Sequence, residues 1–268
     1  MNLLKSLLRA LFGERPGATN IPDEWKNTRG RGVEVLVIDS GAPSHPALDG
    51  AIDYANSRSF YWSEETLSDI GDENGHATAV CGVIHAYAPD ARIVCYKVAG
   101  QDGHGETTAL RMALEEAART RPDIVNVSLS LRSGASRMLH ALGILQSHGI
   151  PVICGAGNDG EDGVGYPARF PQAIAVGACD EKGREAAFSS RGWQVDCLFP
   201  GVAVRTLGLH GAYAVSSGTS VACAAASGVA ALWLSWLRGA TDIGGEPRSV
   251  AGLIDDCRDA LRETGRKA

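Results

Sequence analysis

The sequence of 268 residues lacks several features that would place it in a functional class at once. It has no run rich in Lys and Arg, and its formal net charge is −6, so it carries no electrostatic footprint for nucleic acid. Aromatic residues make up only 6%, yet apolar residues reach 44% and charged residues 21%, a balance that excludes wholesale disorder. The composition predicts a folded protein without a nucleic-acid partner.

The cysteines lack the spacing of a disulfide framework or a metal site. There are seven, an odd number, and none forms a Cys-x-x-Cys pair or lies at zinc-finger spacing with histidine. We therefore expect buried free thiols, which are typical of a reducing compartment. No uninterrupted apolar run approaches the length of a transmembrane span, so we expect a cytoplasmic protein without a transmembrane segment.

The amino-terminal residues 1–12 are amphipathic but do not fit a signal peptide. Leucines recur at a spacing of four, while Lys5 and Arg9 lie on the opposite helical face and interrupt the apolar residues. A short helix packed on the domain is the favoured interpretation. An inhibitory segment that covers the functional site and an interfacial membrane helix are the alternatives. We expect an extension and linker over residues 1–18 and one domain over residues 19–268.

Buried strands alternate with helices along the domain. Residues 33–38 form a near-continuous apolar run rich in β-branched side chains, which is typical of a strand buried on both faces. The alternation predicts an α/β, three-layer fold with a central, mostly parallel sheet flanked by helices. In such sheets functional groups gather at the carboxyl ends of the strands. Further strands are predicted at residues 92–98, 124–129, 150–154 and 173–176, and helices at 76–85, 107–120, 137–148, 220–236 and 249–263.

Two candidate residues lie at ends of these elements. Asp39 directly follows the first buried strand, where a carboxylate could orient an imidazole, although Asp often ends strands as a turn or cap. His76 opens a predicted helix among small residues that leave room for a cleft, although an ordinary surface histidine is the favoured interpretation of this residue alone. Neither residue indicates a function when taken alone.

Two more candidates lie beside glycines. Ser220 begins an Ala-rich helix, where its backbone N–H is free to donate to an anion, although serine is also a common helix cap. Asn158 follows Gly155-Ala156-Gly157 past a strand, where its amide could donate to developing negative charge. An ordinary turn and a phosphate-binding loop are alternatives there, but neither common phosphate motif is matched.

Together and in this order, these segments resemble the motifs of the subtilisin-like serine proteases, or subtilases. The resemblance extends from about Ile21 to the end of the chain and implies that Asp39, His76 and Ser220 form a catalytic triad. It also implies that Asn158 is the oxyanion donor. The matching blocks are Val37-Ile38-Asp39-Ser40-Gly41, Asn74-Gly75-His76 to Gly82, Asn126-Val127-Ser128-Leu129, Gly155-Ala156-Gly157-Asn158 and Gly218-Thr219-Ser220 to Gly228.

The resemblance implies a serine endopeptidase whose partner is a protein or peptide substrate. Residues 98–103 and 128–130 would hold the peptide as added β-strands. Gly165 at the floor of the pocket before the cut would leave room for a large side chain. Three acidic residues lie near its expected rim, namely Asp159, Glu161 and Asp162. They either favour a basic substrate residue before the cut or are simply part of an acidic surface. The implied substrate-binding residues are Ala99, Gly100, Ser128, Leu129, Ser130, Gly155, Ala156, Gly165 and Thr219.

The sequence departs from the family pattern in three places. Ala77 and Ala79 replace a Gly and a His after the histidine, and Ala224 and Ala225 replace a Pro and a His after the serine. These changes predict a continuous helix behind Ser220 and lower efficiency. The segment after the His76 helix lacks the calcium-loop insertion, so we expect no required cofactor or metal; a weak calcium or monovalent cation site is not predicted.

Two other functions share these residues. The altered blocks also fit a subtilase-like peptide-binding protein with weak or no catalysis. A peptide cyclase or transamidase would share the acyl-enzyme, but such relatives tend to carry a lid insertion near the His76 helix, and none is present.

The amino-terminal extension yields the first prediction. Because residues 1–18 precede the predicted domain, we expect no large folding segment. If the amphipathic stretch restrains activity intramolecularly, a chain shortened to begin at Asn20 is more active than the full chain. Peptide hydrolysis by the two purified chains checks this, and equal rates would contradict it.

Overall fold

The computed structural model describes residues 20–61, 69–134, 136–160, 163–241 and 250–266. The amphipathic extension, Glu161 and Asp162 lie outside the described residues, so the predictions about them remain predictions.

A seven-stranded sheet forms the centre of the fold, in the order β2-β3-β1-β4-β5-β6-β7. Every neighbouring pair in it is parallel, which confirms the predicted sheet. The five predicted strands are all present. The strands are β1 (Glu34–Asp39), β2 (Arg58–Ser59), β3 (Arg92–Lys97), β4 (Ile124–Val127), β5 (Val152–Gly155), β6 (Ala173–Cys179) and β7 (Val195–Pro200), with β8 (Val204–Leu207) and β9 (Tyr213–Ser216) outside this sheet.

Helices cover both faces of the sheet, as predicted. The helices are α1 (Asp23–Thr28), α2 (His76–Tyr87), α3 (Thr107–Thr120), α4 (Ser136–Ser147), α5 (Thr219–Thr241) and α6 (Val250–Thr264). Side chains of β1 alternate between two cores. Val35 and Val37 pack with α2 and α5 on one face, and Leu36 and Ile38 pack with α3 and α4 on the other. Each such burial contributes roughly 1.5–3 kcal/mol, which explains the near-continuous apolar run.

The central helix α5 is a core element of the fold. Its segment Thr219–Gly239 is long and apolar enough to cross a membrane by length and composition, although the sequence analysis found no apolar run of that length. However, 83% of its most apolar window is buried inside the protein. It packs beside α2 and beneath strands of the sheet, and small side chains such as Ala222 and Ala226 are fully buried there.

All seven cysteines are free and buried, which confirms the prediction of buried free thiols. One of them, Cys223, lies one helical turn after Ser220. Burial raises the pKa of its thiol to about 12, so it stays protonated near neutral pH and is a poor nucleophile.

Among the α-helices and β-strands of the described residues, five were not predicted, namely α1, β2, β7, β8 and β9. The last two strands form an antiparallel hairpin whose second strand leads directly to Ser217 and α5. Side chains such as Tyr213 and Val215 are 66% and 64% exposed, so this hairpin lacks the buried pattern by which strands are predicted.

Candidate active site

The four candidate residues converge at one edge of the sheet. Asp39 is the last residue of β1, and Asn158 follows the end of β5. His76 is the first residue of α2, and Ser220 is the second residue of α5. Because the parallel strands end at the same edge, β1 and β5 bring Asp39 and Asn158 to the side where both helices begin.

Asp39 and His76 form a direct contact across 37 residues of sequence. His76 Nδ1 lies 2.7 Å from Asp39 Oδ1, and the backbone N–H of Ser40 donates to the same oxygen at 2.7 Å. The Asp39 side chain is 1% exposed, whereas that of His76 is 34% exposed. A buried carboxylate therefore fixes an imidazole whose other edge faces solvent.

The charge of Asp39 raises the pKa of His76 above its ordinary value of 6.5. Burial opposes this increase because it disfavours the charged imidazolium, while the hydrogen bond to Asp39 and the negative charge of Asp72 add to it. The imidazole therefore holds a proton more readily than a free histidine does.

Asp72 ties the start of α2 to the end of β1, a role that the sequence analysis missed. Its Oδ1 accepts hydrogen bonds from Gly75 N at 2.9 Å and Ser40 Oγ at 2.9 Å. Its Oδ2 accepts from the backbone and hydroxyl of Thr78 at 2.8 and 2.6 Å. Ser40 Oγ also accepts from Ala77 N at 3.0 Å. This network fixes the helix terminus that carries His76, and an acidic residue four positions before the histidine is the signal that could have revealed it.

Ser220 and His76 line the same cavity, which has a volume of about 600 Å³. Its other walls include apolar side chains from α2, the hairpin and α5, such as Val80, Leu207 and Val221. Ser220 lies in the first turn of α5, where backbone N–H groups have no helical acceptor and the helix dipole is positive. The cavity therefore joins a hydroxyl, an imidazole and free N–H donors.

The amide of Asn158 has a defined orientation. Its Oδ1 accepts from Thr219 N at 2.9 Å and from Thr219 Oγ1 at 3.1 Å, which assigns the other amide atom, Nδ2, as the free donor. A Cβ added to Gly218 would lie 3.1 Å from Ser220 Oγ and 3.4 Å from Asn158 Nδ2. The amide donor and the hydroxyl therefore lie on the same side of Gly218, and glycine keeps the space between them open.

Thr219 was predicted to bind substrate, but it is 3% exposed. Its hydroxyl accepts from Gly157 N at 3.1 Å and contacts Asn158 Oδ1. It therefore orients the Asn158 amide.

The two segments expected to hold a peptide, 98–103 and 128–130, both begin with buried residues and continue into exposed ones. Ala99 and Gly100 are buried, and Ala99 forms an antiparallel bridge with Gly105. Ser128 Oγ lies 3.0 Å from Asn126 Oδ1 and 3.2 Å from the carbonyl of Ser220, so it anchors this segment to α5.

The expected pocket before the cut lies beside Asn158. Gly165 N donates to Ala156 O at 2.9 Å, which joins two of its expected walls. A Cβ added to Gly155 would lie 3.2 Å from the carbonyl oxygen of Thr219, so these two residues are close together. Leu129 is half-buried and Ser130 is exposed. The space above Gly165 is not open, because a Cβ added there would clash with Ser130 Oγ.

The departures from the family pattern leave the helices intact. Ala77, Ala224 and Ala225 are fully buried, and α5 runs without interruption from Thr219 to Thr241. Over the described ranges, no group of three or more His, Cys, Asp or Glu side chains is placed to hold a metal ion.

Comparisons with known proteins agree with this architecture. The model of the subtilase family matches residues 30–256. Thermostable alkaline protease from Halalkalibacterium halodurans is 36% identical over 212 residues, which are 76% of this chain and 57% of that protein. Subtilisin BL from Lederbergia lenta is 35% identical over 212 residues, which are 76% of each. M-protease from Shouchella clausii is also 35% identical, but the match spans only 54% of it.

A solved structure supports the same assignment. The crystal structure of a cold adapted subtilisin-like serine proteinase superposes with a TM-score of 0.69 at 30% identity, over 77% of this chain and 76% of that one. The chain spans little more than half the length of some relatives and three quarters of others. Since the family model matches most of the chain and the fold agrees, this protein belongs to the subtilase family of serine proteases.

Proposed function

We propose that this chain is a serine endopeptidase that cleaves proteins or peptides through an acyl-enzyme on Ser220. The observation that carries the proposal is the 2.7 Å contact of His76 Nδ1 with buried Asp39, made by a histidine that lines one cavity with Ser220. A nucleophile, a base and a group that orients the base are the components that this chemistry requires.

The contact with Asp39 defines the roles of the imidazole. Because Nδ1–H donates to the carboxylate, Nε2 carries the lone pair that accepts the proton of Ser220. Ser220 Oγ then bonds to the scissile carbonyl carbon, and the imidazolium returns the proton to the amine that leaves. Water then attacks the acyl-enzyme with the same help from His76, and the carboxylic acid product leaves Ser220. Asp39 stabilises the imidazolium in both halves of the reaction without taking its proton.

Asn158 and the backbone N–H of Ser220 stabilise the tetrahedral oxyanion. Thr219 holds Asn158 Oδ1, so Nδ2 needs no reorganisation when the negative charge develops. The substrate backbone pairs with residues 128–130 and 98–103, which recognises main chain and tolerates many sequences.

A fluorophosphonate probe tests the proposal, because it bonds only to an activated serine. We expect one adduct, on the peptide that contains Ser220, and none with Ser220→Ala. Lack of labelling together with no cleavage of a mixed peptide library would favour a peptide-binding protein without catalysis. Labelling accompanied by joined peptides instead of cut ones would indicate a transamidase.

The acid limb of the pH profile tests the electrostatics around His76. The imidazole must be neutral to accept a proton, and its pKa is raised, so kcat/KM falls as pH drops through a value above 6.5. Asp72→Asn removes one of the charges that favour the imidazolium, so its acid limb moves to lower pH.

The matched control is Asp69→Asn, an aspartate of the same loop that hydrogen bonds to Gly71 N. Its acid limb should stay where it is in the wild type. Equal acid limbs for Asp72→Asn and the wild type would contradict the assigned influence of Asp72.

A further inference from the structure

The two halves of a bound peptide lie on opposite sides of Ser220. His76 returns its proton to the leaving amine, so the half after the cut occupies the cavity that His76 and Ser220 line. Asn158 binds the carbonyl oxygen of the residue before the cut. That residue therefore lies on the other side, and its side chain faces the glycine-rich backbone that precedes Asn158.

The walls on that side are rigidly joined. Leu131 and Tyr166 exchange both backbone hydrogen bonds at 2.8 Å, and Gly165 N donates to Ala156 O at 2.9 Å. Segments 128–131, 155–157 and 165–166 therefore form one unit with fixed spacing. Without side chains at Gly157 and Gly165, this unit would leave a slot for a large residue.

The hydroxyl of Ser130 lies inside this slot. It occupies the position where a Cβ of Gly165 would be, and it is 3.0 Å from the position of a Cβ on Gly157. Ser130 is exposed, so its side chain faces the cleft and not the core. No described residue accepts or donates a hydrogen bond at its hydroxyl, whereas nearby Ser190 Oγ accepts from Asp159 N. The Ser130 hydroxyl is thus available to substrate.

We infer that Ser130 determines the substrate class, restricting the residue before the cut to small side chains such as Gly, Ala and Ser. This inference rests on the proposed function. A large apolar side chain would overlap Ser130 Oγ, and its burial would also deprive that hydroxyl of water without replacing the hydrogen bond. Both effects oppose the large and basic residues that the sequence alone led us to consider.

Hydrolysis of peptides that differ only before the cut tests the inference. The wild type should cleave after Ala with higher kcat/KM than after Phe or Lys. Ser130→Gly should raise the Phe-to-Ala ratio of kcat/KM by at least about tenfold, since even one methylene in a pocket is worth that much. Ser130→Ala, which removes the oxygen without loosening the backbone, should shift the ratio in the same direction by less.

Ser133→Gly is the matched control, because it makes the same change in an exposed position of the same segment. This variant should keep the wild-type Phe-to-Ala ratio of kcat/KM. A wild type that prefers Phe or Lys, or a ratio that Ser130→Gly leaves unchanged, would overturn the inference.

Binding separates this inference from the proposed chemistry. Fluorescence anisotropy gives the Kd of the peptides that carry Ala or Phe before the cut. The measurement compares Ser220→Ala with the double variant that also carries Ser130→Gly. If no variant hydrolyses peptides but the Kd ratio shifts as expected, the endopeptidase proposal fails and the role of Ser130 stands. An unshifted Kd ratio, or no binding of either peptide, would count against Ser130 whatever the hydrolysis result.

Discussion

Replacement of Ser220 by alanine is expected to lower kcat by about 10⁶-fold, the loss known for subtilisin when its own nucleophile is removed. The methyl group cannot form the acyl-enzyme, and neither Cys223 nor another described cysteine substitutes, because all are buried. KM should change little, since Ser220 Oγ contributes to bond formation more than to binding. Active-site titration with burst kinetics gives kcat for the wild type, and long incubations measure the residual rate.

The double variant with His76→Ala makes this prediction sharper. Ser220 and His76 act as one unit, so the double variant should be no slower than Ser220→Ala alone. If the fold-loss in kcat of the double variant equalled the product of the two single losses, Ser220 and His76 would act separately. That result would contradict the proposal that they work together in the shared cavity. Ser147→Ala makes the same change at an exposed position of α4, outside the segments that hold the peptide, and should keep the wild-type kcat.

Replacement of Asn158 by alanine is expected to lower kcat by about 10²–10³-fold, the effect of losing one oxyanion donor in subtilisin. KM should remain nearly constant, because Nδ2 meets the oxyanion mainly in the transition state. Steady-state kinetics on one peptide separates the two parameters. A rise in KM with unchanged kcat would instead show that Asn158 binds substrate uniformly.

Thr219→Val supplies a graded comparison. It keeps the shape of the side chain but removes the hydroxyl that contacts Asn158 Oδ1 and accepts from Gly157 N. The backbone N–H of Thr219 still holds the amide, so the kcat loss should be smaller than for Asn158→Ala. A loss equal to that of Asn158→Ala would mean that the hydroxyl alone orients the donor.

The sheet was predictable because its central strands are buried on both faces. Alternate side chains of β1 fill two separate cores, so nearly every position had to be apolar, and that local requirement is visible in the sequence. By contrast, β7 includes Asp196, which is paired with Arg258 and Arg262 of α6. A polar residue stabilised by a distant helix breaks the apolar run, and local patterning therefore missed this strand.

The sequence alone identified the candidate catalytic residues, because the ordered motifs contain Asp39, His76, Ser220 and Asn158. Only the tertiary structure decided the arrangement around them. Asp72 joins the end of β1 to the start of α2 through hydrogen bonds from Ser40, Gly75 and Thr78, and Ser130 fills the space that Gly165 leaves open. The shape of a pocket depends on which side chains reach it from distant segments, and pairings of that kind are set by packing and not by local sequence.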